Sequence, residues 1–155
     1  CLVWVGLEIR HNKKVRISKM GPLGVICSGA LALTIIWGAY VAGLDAGLVY
    51  NTWPLMGENL IPEESFGALS LFSDPVWVQF THRWIAIVTA GLILTYSWII
   101  KAAFLAVAIV LQVGIGIATL LSQVWIPLAA IHQAGAFIVL LAFLTNTYSR
   151  LSQKA

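Results

Sequence analysis

The sequence predicts an all-α fold: an integral membrane four-helix bundle with a long outer loop between its first and second spans. Hydrophobic residues make up 60% of the 155-residue chain and charged residues only 10%, too few polar groups to cover a water-soluble globule. A bilayer core of roughly 30 Å requires about 20 apolar residues per helix, and the chain offers four such runs, at about 23–44, 78–100, 102–121 and 128–148. The charges then separate by segment in a way that orients those runs.

Residues 1–22 read as the end of a preceding apolar helix, "CLVWVGL", followed by an inner basic loop with Arg10, Lys13, Lys14, Arg16 and Lys19. His11 is simply solvated there. A start at Cys1 rather than Met suggests part of a longer protein. Span one contains Cys27, and with Cys1 the only other cysteine no disulfide framework or cysteine-rich metal site is available. Any redox chemistry must come from a bound cofactor.

Between spans one and two, Asp45 to Trp77 carries Asp45, Glu58, Glu63, Glu64 and Asp74 with no lysine or arginine. The positive-inside bias places this loop outside and the basic segments inside. Lys101, between spans two and three, and Arg150 and Lys154, in the inner tail 149–155, agree with that placement. Both termini are expected on the cytoplasmic side, or the matrix side in a mitochondrion. Trp53, Trp77 and Trp125 fall near the outer boundary, where amphipathic rings prefer to sit. A short helix over Glu63 to Phe72 is expected after Pro62. Spans two and three are separated essentially by Lys101 alone, whereas helix connections usually take about 2 to 8 residues. The expectation is that a polar loop is left out there.

Ionisable residues inside a span are costly in lipid and therefore functional suspects. Three qualify: His82, Arg83 and His132. Each histidine lies about five residues inside the outer end of its span, so at about 1.5 Å of rise per residue both imidazoles reach nearly one depth, roughly 7 Å below the outer surface. Two neutral imidazoles opposed in a bundle core suit axial ligation of heme iron. Small residues line their helix faces: Ala86, Thr89 and Ala90 after His82, Gly135 and Ala136 after His132, and Gly114, Gly116 and Ala118 on span three. Such residues either clear space for a flat macrocycle or let helices approach closely. The plain alternative for the histidines is interhelical hydrogen bonding to Gln79, Gln112 or Gln133. Zinc finds no cysteine or carboxylate at that depth. Arg83 is the one basic residue of nine off the inner side; it either clamps a heme propionate or snorkels and pairs with Asp45 or Asp74.

Four blocks, "GAYVAGLDAGLVYNTWPLMGENLIP", "VQFTHRW", "QVGIGIATLL" and "PLAAIHQAGA", resemble in order and spacing the carboxy-terminal half of the heme A synthase family. The resemblance runs from about Ser28 to Leu144 and touches every span. It implies two similar four-helix halves in a bacterial plasma membrane or mitochondrial inner membrane, and oxidation of a methyl group of heme o to the formyl group of heme a for terminal oxidases. It also implies that His82 and His132 are the iron ligands of a heme b. In the family's amino-terminal half a glutamate stands three residues before the ligand histidine; here that position is Gln79, which cannot act as a general base. This half is therefore expected to hold a resident heme, with the reactive site in the missing half or another copy of the chain. Heme O synthase and an electron acceptor are the implied partners beside the lipid membrane, with no nucleic acid. The loop from Asp45 to Pro62 is expected to cover the heme edge, with Tyr50, Asn51 and Trp53 as its contacts. The competing functions are an electron-transfer membrane cytochrome b with no catalysis on heme, and a scaffold whose histidines only bridge helices.

Overall fold

The structure, a computed structural model, describes residues 2–12, 14–15 and 20–153; Cys1, Lys13, Arg16, Lys19 and Lys154 lie outside the described residues. The described residues form α1 (Leu2–His11), α2 (Pro22–Gly43), α3 (Ser70–Ser73), α4 (Pro75–Ile100), α5 (Ala103–Leu121) and α6 (Ile126–Ser152). Of these, α2, α4, α5 and α6 are long and apolar enough to cross a membrane.

The helix ends follow from capping chemistry that an apolar run does not reveal. α4 begins at Pro75, ahead of the apolar run, because the Asp74 carboxylate accepts from the Val76 amide at 2.9 Å and proline takes a first-turn position that needs no N–H donor. α6 extends past residue 148 to Ser152. Its polar last turns feed their side chains back to the helix: Thr145 Oγ1 donates to the Leu141 carbonyl and Asn146 Nδ2 to that of Ala142, each at 2.8 Å. Arg150 near the end complements the negative pole of the helix.

The connection between α4 and α5 closes within two residues. Lys101 adopts the left-handed conformation (φ 58°, ψ 39°), and the amides of Lys101 and Ala102 donate to the carbonyls of Trp98 and Ser97 at 3.2 and 2.8 Å. This Schellman-type stop satisfies the last carbonyls of α4 and reverses the chain without a longer polar loop.

The helix expected over Glu63 to Phe72 shrinks to the four residues of α3. Two contacts hold the preceding stretch elsewhere. The Glu63 carboxylate accepts from Asn59 Nδ2 at 2.5 Å and the Glu64 carboxylate from the Tyr50 hydroxyl at 2.8 Å. Ser70 Oγ then accepts from the Gly67 amide at 2.8 Å, fixing a turn directly before α3.

α2 packs against α4, α4 against α5 and α5 against α6, while α2 meets α6 only lightly. The four long helices therefore form a ring in which α4 and α6 stand on a diagonal. Cys27, Leu31, Ile93, Leu105, Ile109, Val139 and Phe143 build the core in the half of the bundle remote from the loop. In lipid this interdigitation, rather than exclusion of water, holds the helices together. At that remote end α1 leans on α6: the Trp4 ring meets Tyr148 edge-on at 5.3 Å, and its Nε1 donates to the Val15 carbonyl at 3.1 Å.

At the opposite end, residues 44–74 cross the bundle mouth. Asn51 Nδ2 donates to the carbonyls of Gly47 and Leu120 at 2.8 and 2.9 Å, which pins the loop to the last turn of α5 and supplies one of the donors that helix end lacks. Gly47 is required there, because a β-carbon would come within 2.8 Å of the Val124 side chain in the α5–α6 turn.

Candidate functional site

His82 lies seven residues after the start of α4 and His132 six after the start of α6. Both starts are at the loop end, so the two imidazoles sit about 9 to 11 Å into the bundle at about 1.5 Å per residue. They hang from diagonal helices. The two histidines therefore stand at the same end of the bundle and at nearly one level.

Each ring rests on a glycine of the neighbouring helix. A β-carbon at Gly38 of α2 would approach His82 Cε1 to 3.3 Å, and one at Gly116 of α5 would approach His132 Cε1 to 2.7 Å. Both glycines stand five residues before the last residue of their helix. The four positions thus form one rung. Gly116 belongs to the small residues singled out in the sequence; Gly38, which opens the loop motif, is a site residue that sequence reasoning misses. Its signal was depth, since a residue five from the loop end of α2 must stand level with His82.

The two imidazoles differ in their polar contacts. His82 Nδ1 is buried with no hydrogen-bond partner. His132 Nδ1 lies 3.1 Å from Gln112 Nε2, which also donates to the His132 carbonyl at 2.8 Å. Helix bridging by glutamine therefore holds for His132 and Gln112. Gln79 turns instead to the loop, and Gln133 is exposed.

Arg83 is buried and points into the loop. Its Nη1 donates to the carbonyls of Thr52 and Leu55 at 2.9 and 3.2 Å, and its Nη2 to the Tyr50 carbonyl and Gln79 Oε1 at 2.7 and 3.2 Å. Gln79 Nε2 donates to the same Tyr50 carbonyl at 3.1 Å. The Trp53 ring lies 6.0 Å from the guanidinium carbon, at the outer limit of cation–π attraction. Arg83 Nε is buried without a partner. Neither Asp45 nor Asp74 is among these contacts; three backbone carbonyls and one amide receive the cation. Tyr50 and Asn51 contribute hydrogen bonds, and Trp53 a ring beside the guanidinium, to the loop's attachment. The Glu64 carboxylate, by accepting from the Tyr50 hydroxyl, also pushes that phenol above the usual tyrosine range.

Two turns of α4 farther from the loop, Thr89 Oγ1 meets Thr34 Oγ1 at 2.8 Å and donates to the Ala30 carbonyl at 3.3 Å. This polar contact joins α2 to α4 between the histidine rung and the apolar core. Gly114, by contrast, faces open space rather than the site. His11 lies at the remote end, its ring 5.8 Å from that of Tyr148.

The residues present fit a bis-histidine heme by their chemistry. Two imidazoles without carboxylate or thiolate companions are the donor set of a low-spin heme rather than of zinc. The glycines at 38 and 116 leave room for the two rings against the adjacent helices.

The family described as cytochrome oxidase assembly protein, COX15-CtaA, matches residues 1–144. Among curated relatives, the heme A synthase of Rhodospirillum centenum is 50% identical over 124 residues, covering 70% of this chain and 33% of the relative. That of Maricaulis maris is 35% identical over 164 residues, covering 95% and 48%. Heme A synthase COX15 of Bos taurus is 46% identical over 129 residues, covering 73% and 31%. The chain spans about a third to a half of the length of these relatives. No solved structure matches it.

Proposed function

This chain belongs to the COX15-CtaA family of cytochrome oxidase assembly proteins, and we propose that it forms the carboxy-terminal, heme b-binding half of a heme A synthase. The whole enzyme would oxidise the methyl group of heme o to the formyl group of heme a for cytochrome oxidase assembly. The observation that carries the reading is the level pair of imidazoles on diagonal helices, each seated on a glycine of the adjacent helix.

His82 and His132 would hold the iron, and in that state the heme supplies one-electron transfer. The chain's own residues do the rest. Gly38 and Gly116 admit the rings without forcing the helices apart. Arg83 and Gln79 gather the carbonyls of Tyr50, Thr52 and Leu55 and so draw the loop over the bundle mouth, limiting water at the heme edge. Arg83 Nε is the donor left over for a propionate. Gln79, where the resemblance places a glutamate in the family's other half, offers no proton-accepting carboxylate. By this reading this half binds the cofactor, and the oxidation of heme o belongs to the family's other half or to another copy of the chain.

The lipid membrane is a bacterial plasma membrane or a mitochondrial inner membrane, crossed four times by this chain, with both termini on the cytoplasmic or matrix side and the loop outside. Heme O synthase and an electron acceptor are the further partners. The neutral Gln79 also favours a second reading, a bis-histidine electron-transfer cytochrome b that performs no chemistry on heme. Supplying heme o to membranes containing the intact protein separates the two: heme a forms if the first reading holds, and no heme a forms, while a control enzyme makes it, if the second does.

A further inference from the structure

At the end of the bundle remote from the loop, α1 is docked on the last turns of α6 by an apolar cluster of Trp4, Val15, Tyr148 and Leu151. Val15 is tied there twice: its amide donates to the Glu8 carboxylate at 2.9 Å, and its carbonyl accepts from Trp4 Nε1 at 3.1 Å. Val15 therefore lies back alongside α1, after a reversal that starts at Asn12 in the left-handed conformation (φ 48°).

Three basic residues stand at the rim of this cluster. Lys14 directly precedes Val15, and Arg150 directly precedes Leu151. Arg10 sits in the last turn of α1 beside His11, whose ring is 5.8 Å from that of Tyr148. All three are exposed, and none has a hydrogen-bond or ion-pair partner among the described residues. The only acidic side chain in residues 1–22 or 145–155 is Glu8, and its carboxylate is engaged with the Val15 amide. The positive-inside bias accounts for an excess of basic residues at this end, and the helix poles for one cation in each last turn. Neither accounts for Lys14, which the double tie on Val15 returns to the α1–α6 junction. A second feature adjoins these cations. Leu2, Val5 and Ile9, at helical spacing along α1, are 91, 49 and 77% exposed, and the stripe they form ends next to Arg10.

An apolar stripe that ends in unpaired cations, where α6 leaves the bilayer, has the chemistry of an anionic phospholipid seat. Basic side chains at that depth attract acidic headgroups, and the arginine fork matches a phosphate. We propose that the α1–α6 junction binds one anionic phospholipid, its phosphate held by Arg10, Lys14 and Arg150 and an acyl chain lying along Leu2, Val5 and Ile9. This site is independent of what the histidines hold.

The test titrates the intact protein, stripped of lipid in detergent, with phosphatidylglycerol or phosphatidylcholine and counts bound lipid by native mass spectrometry. Phosphatidylglycerol is expected to fill one site more tightly than phosphatidylcholine does. Arg10→Gln, Lys14→Gln and Arg150→Gln all alter exposed side chains, and each is expected to weaken phosphatidylglycerol about fivefold, the effect of one basic residue at a bilayer surface, with phosphatidylcholine unaffected. Lys101→Gln removes an exposed cation at the same end of the bundle but in the α4–α5 turn, and should leave binding unchanged. A loss in Lys101→Gln equal to that in Arg150→Gln would show diffuse charge rather than a site and overturn the proposal. So would equal binding of the two lipids, or full displacement of phosphatidylglycerol by millimolar inorganic phosphate.

Discussion

The two sides of the histidine rung share a plan and differ in how they hold it. On the α2–α4 side, His82 has a roomier seat, 3.3 Å from a β-carbon built on Gly38, and no hydrogen bond at Nδ1; its neighbours Gln79 and Arg83 spend their donors on the loop. On the α5–α6 side, His132 has a tighter seat, 2.7 Å over Gly116, and a glutamine at its Nδ1, while its neighbours Ile131 and Gln133 are exposed. One side organises the cover. The other organises the ring. Two level imidazoles can thus be positioned by packing on one helix pair and by a directed polar contact on the other.

The largest test of this comparison removes either imidazole. His82→Ala and His132→Ala are each expected to abolish the low-spin heme signal in detergent-purified protein, and a variant that keeps full heme content and spectrum would break the equivalence. Next comes the cover. Arg83→Met strands the carbonyls of Tyr50, Thr52 and Leu55 at the bundle mouth, and with about 1.5 to 3 kcal/mol for a hydrogen bond to a charged group, less what water repays, we expect a loss of about 3 kcal/mol. That corresponds to about a hundredfold faster proteolysis within 50–62 when loop opening precedes cleavage. Unchanged cleavage would show that the loop is held by other contacts.

Smaller effects separate the two seats. Gly116→Ala must displace the His132 ring and is expected to cost about 1 to 3 kcal/mol, whereas Gly38→Ala meets a milder contact and should cost under about 1 kcal/mol. Thermal denaturation of the heme-loaded variants gives the order, and a reversal would contradict the difference in tightness. The smallest effect lies in the loop. Because the hydrogen bond to Glu64 raises the Tyr50 phenol above its ordinary value near 10, the protonated form is favoured by folding. Its contribution is fully present below that ordinary value and is lost as pH rises through the elevated one. Ultraviolet titration, read as wild type minus Tyr50→Phe, should show a component above pH 10 that falls back in Glu64→Gln.

Much of the fold was legible because a bilayer leaves few alternatives. Four apolar runs at Leu23, Val78, Ala102 and Leu128 become four long helices, and the rarity of ionisable residues within them isolates His82, Arg83 and His132. The helix ends were less legible, since the Asp74 cap and the left-handed Lys101 are set by local hydrogen bonds rather than by hydropathy. The helix expected over Glu63 to Phe72 is confined to its last residues because Asn59 and Tyr50, from earlier in the loop, capture its glutamates. Gly38 and the pairing of Gln112 with His132 needed knowledge of which helices adjoin. Spacing along one helix cannot tell a glycine that seats a neighbour's ring from Gly114, which faces open space. Nor can it show that Arg83 spends its donors on loop carbonyls, because those carbonyls belong to every residue type alike.

The most direct measurement is near-infrared magnetic circular dichroism of the ferric, intact protein. The account predicts a charge-transfer band characteristic of two histidine ligands, absent from His82→Ala and from His132→Ala. A band of another ligand pair in the wild type, or a two-histidine band that survives in either variant, would contradict it.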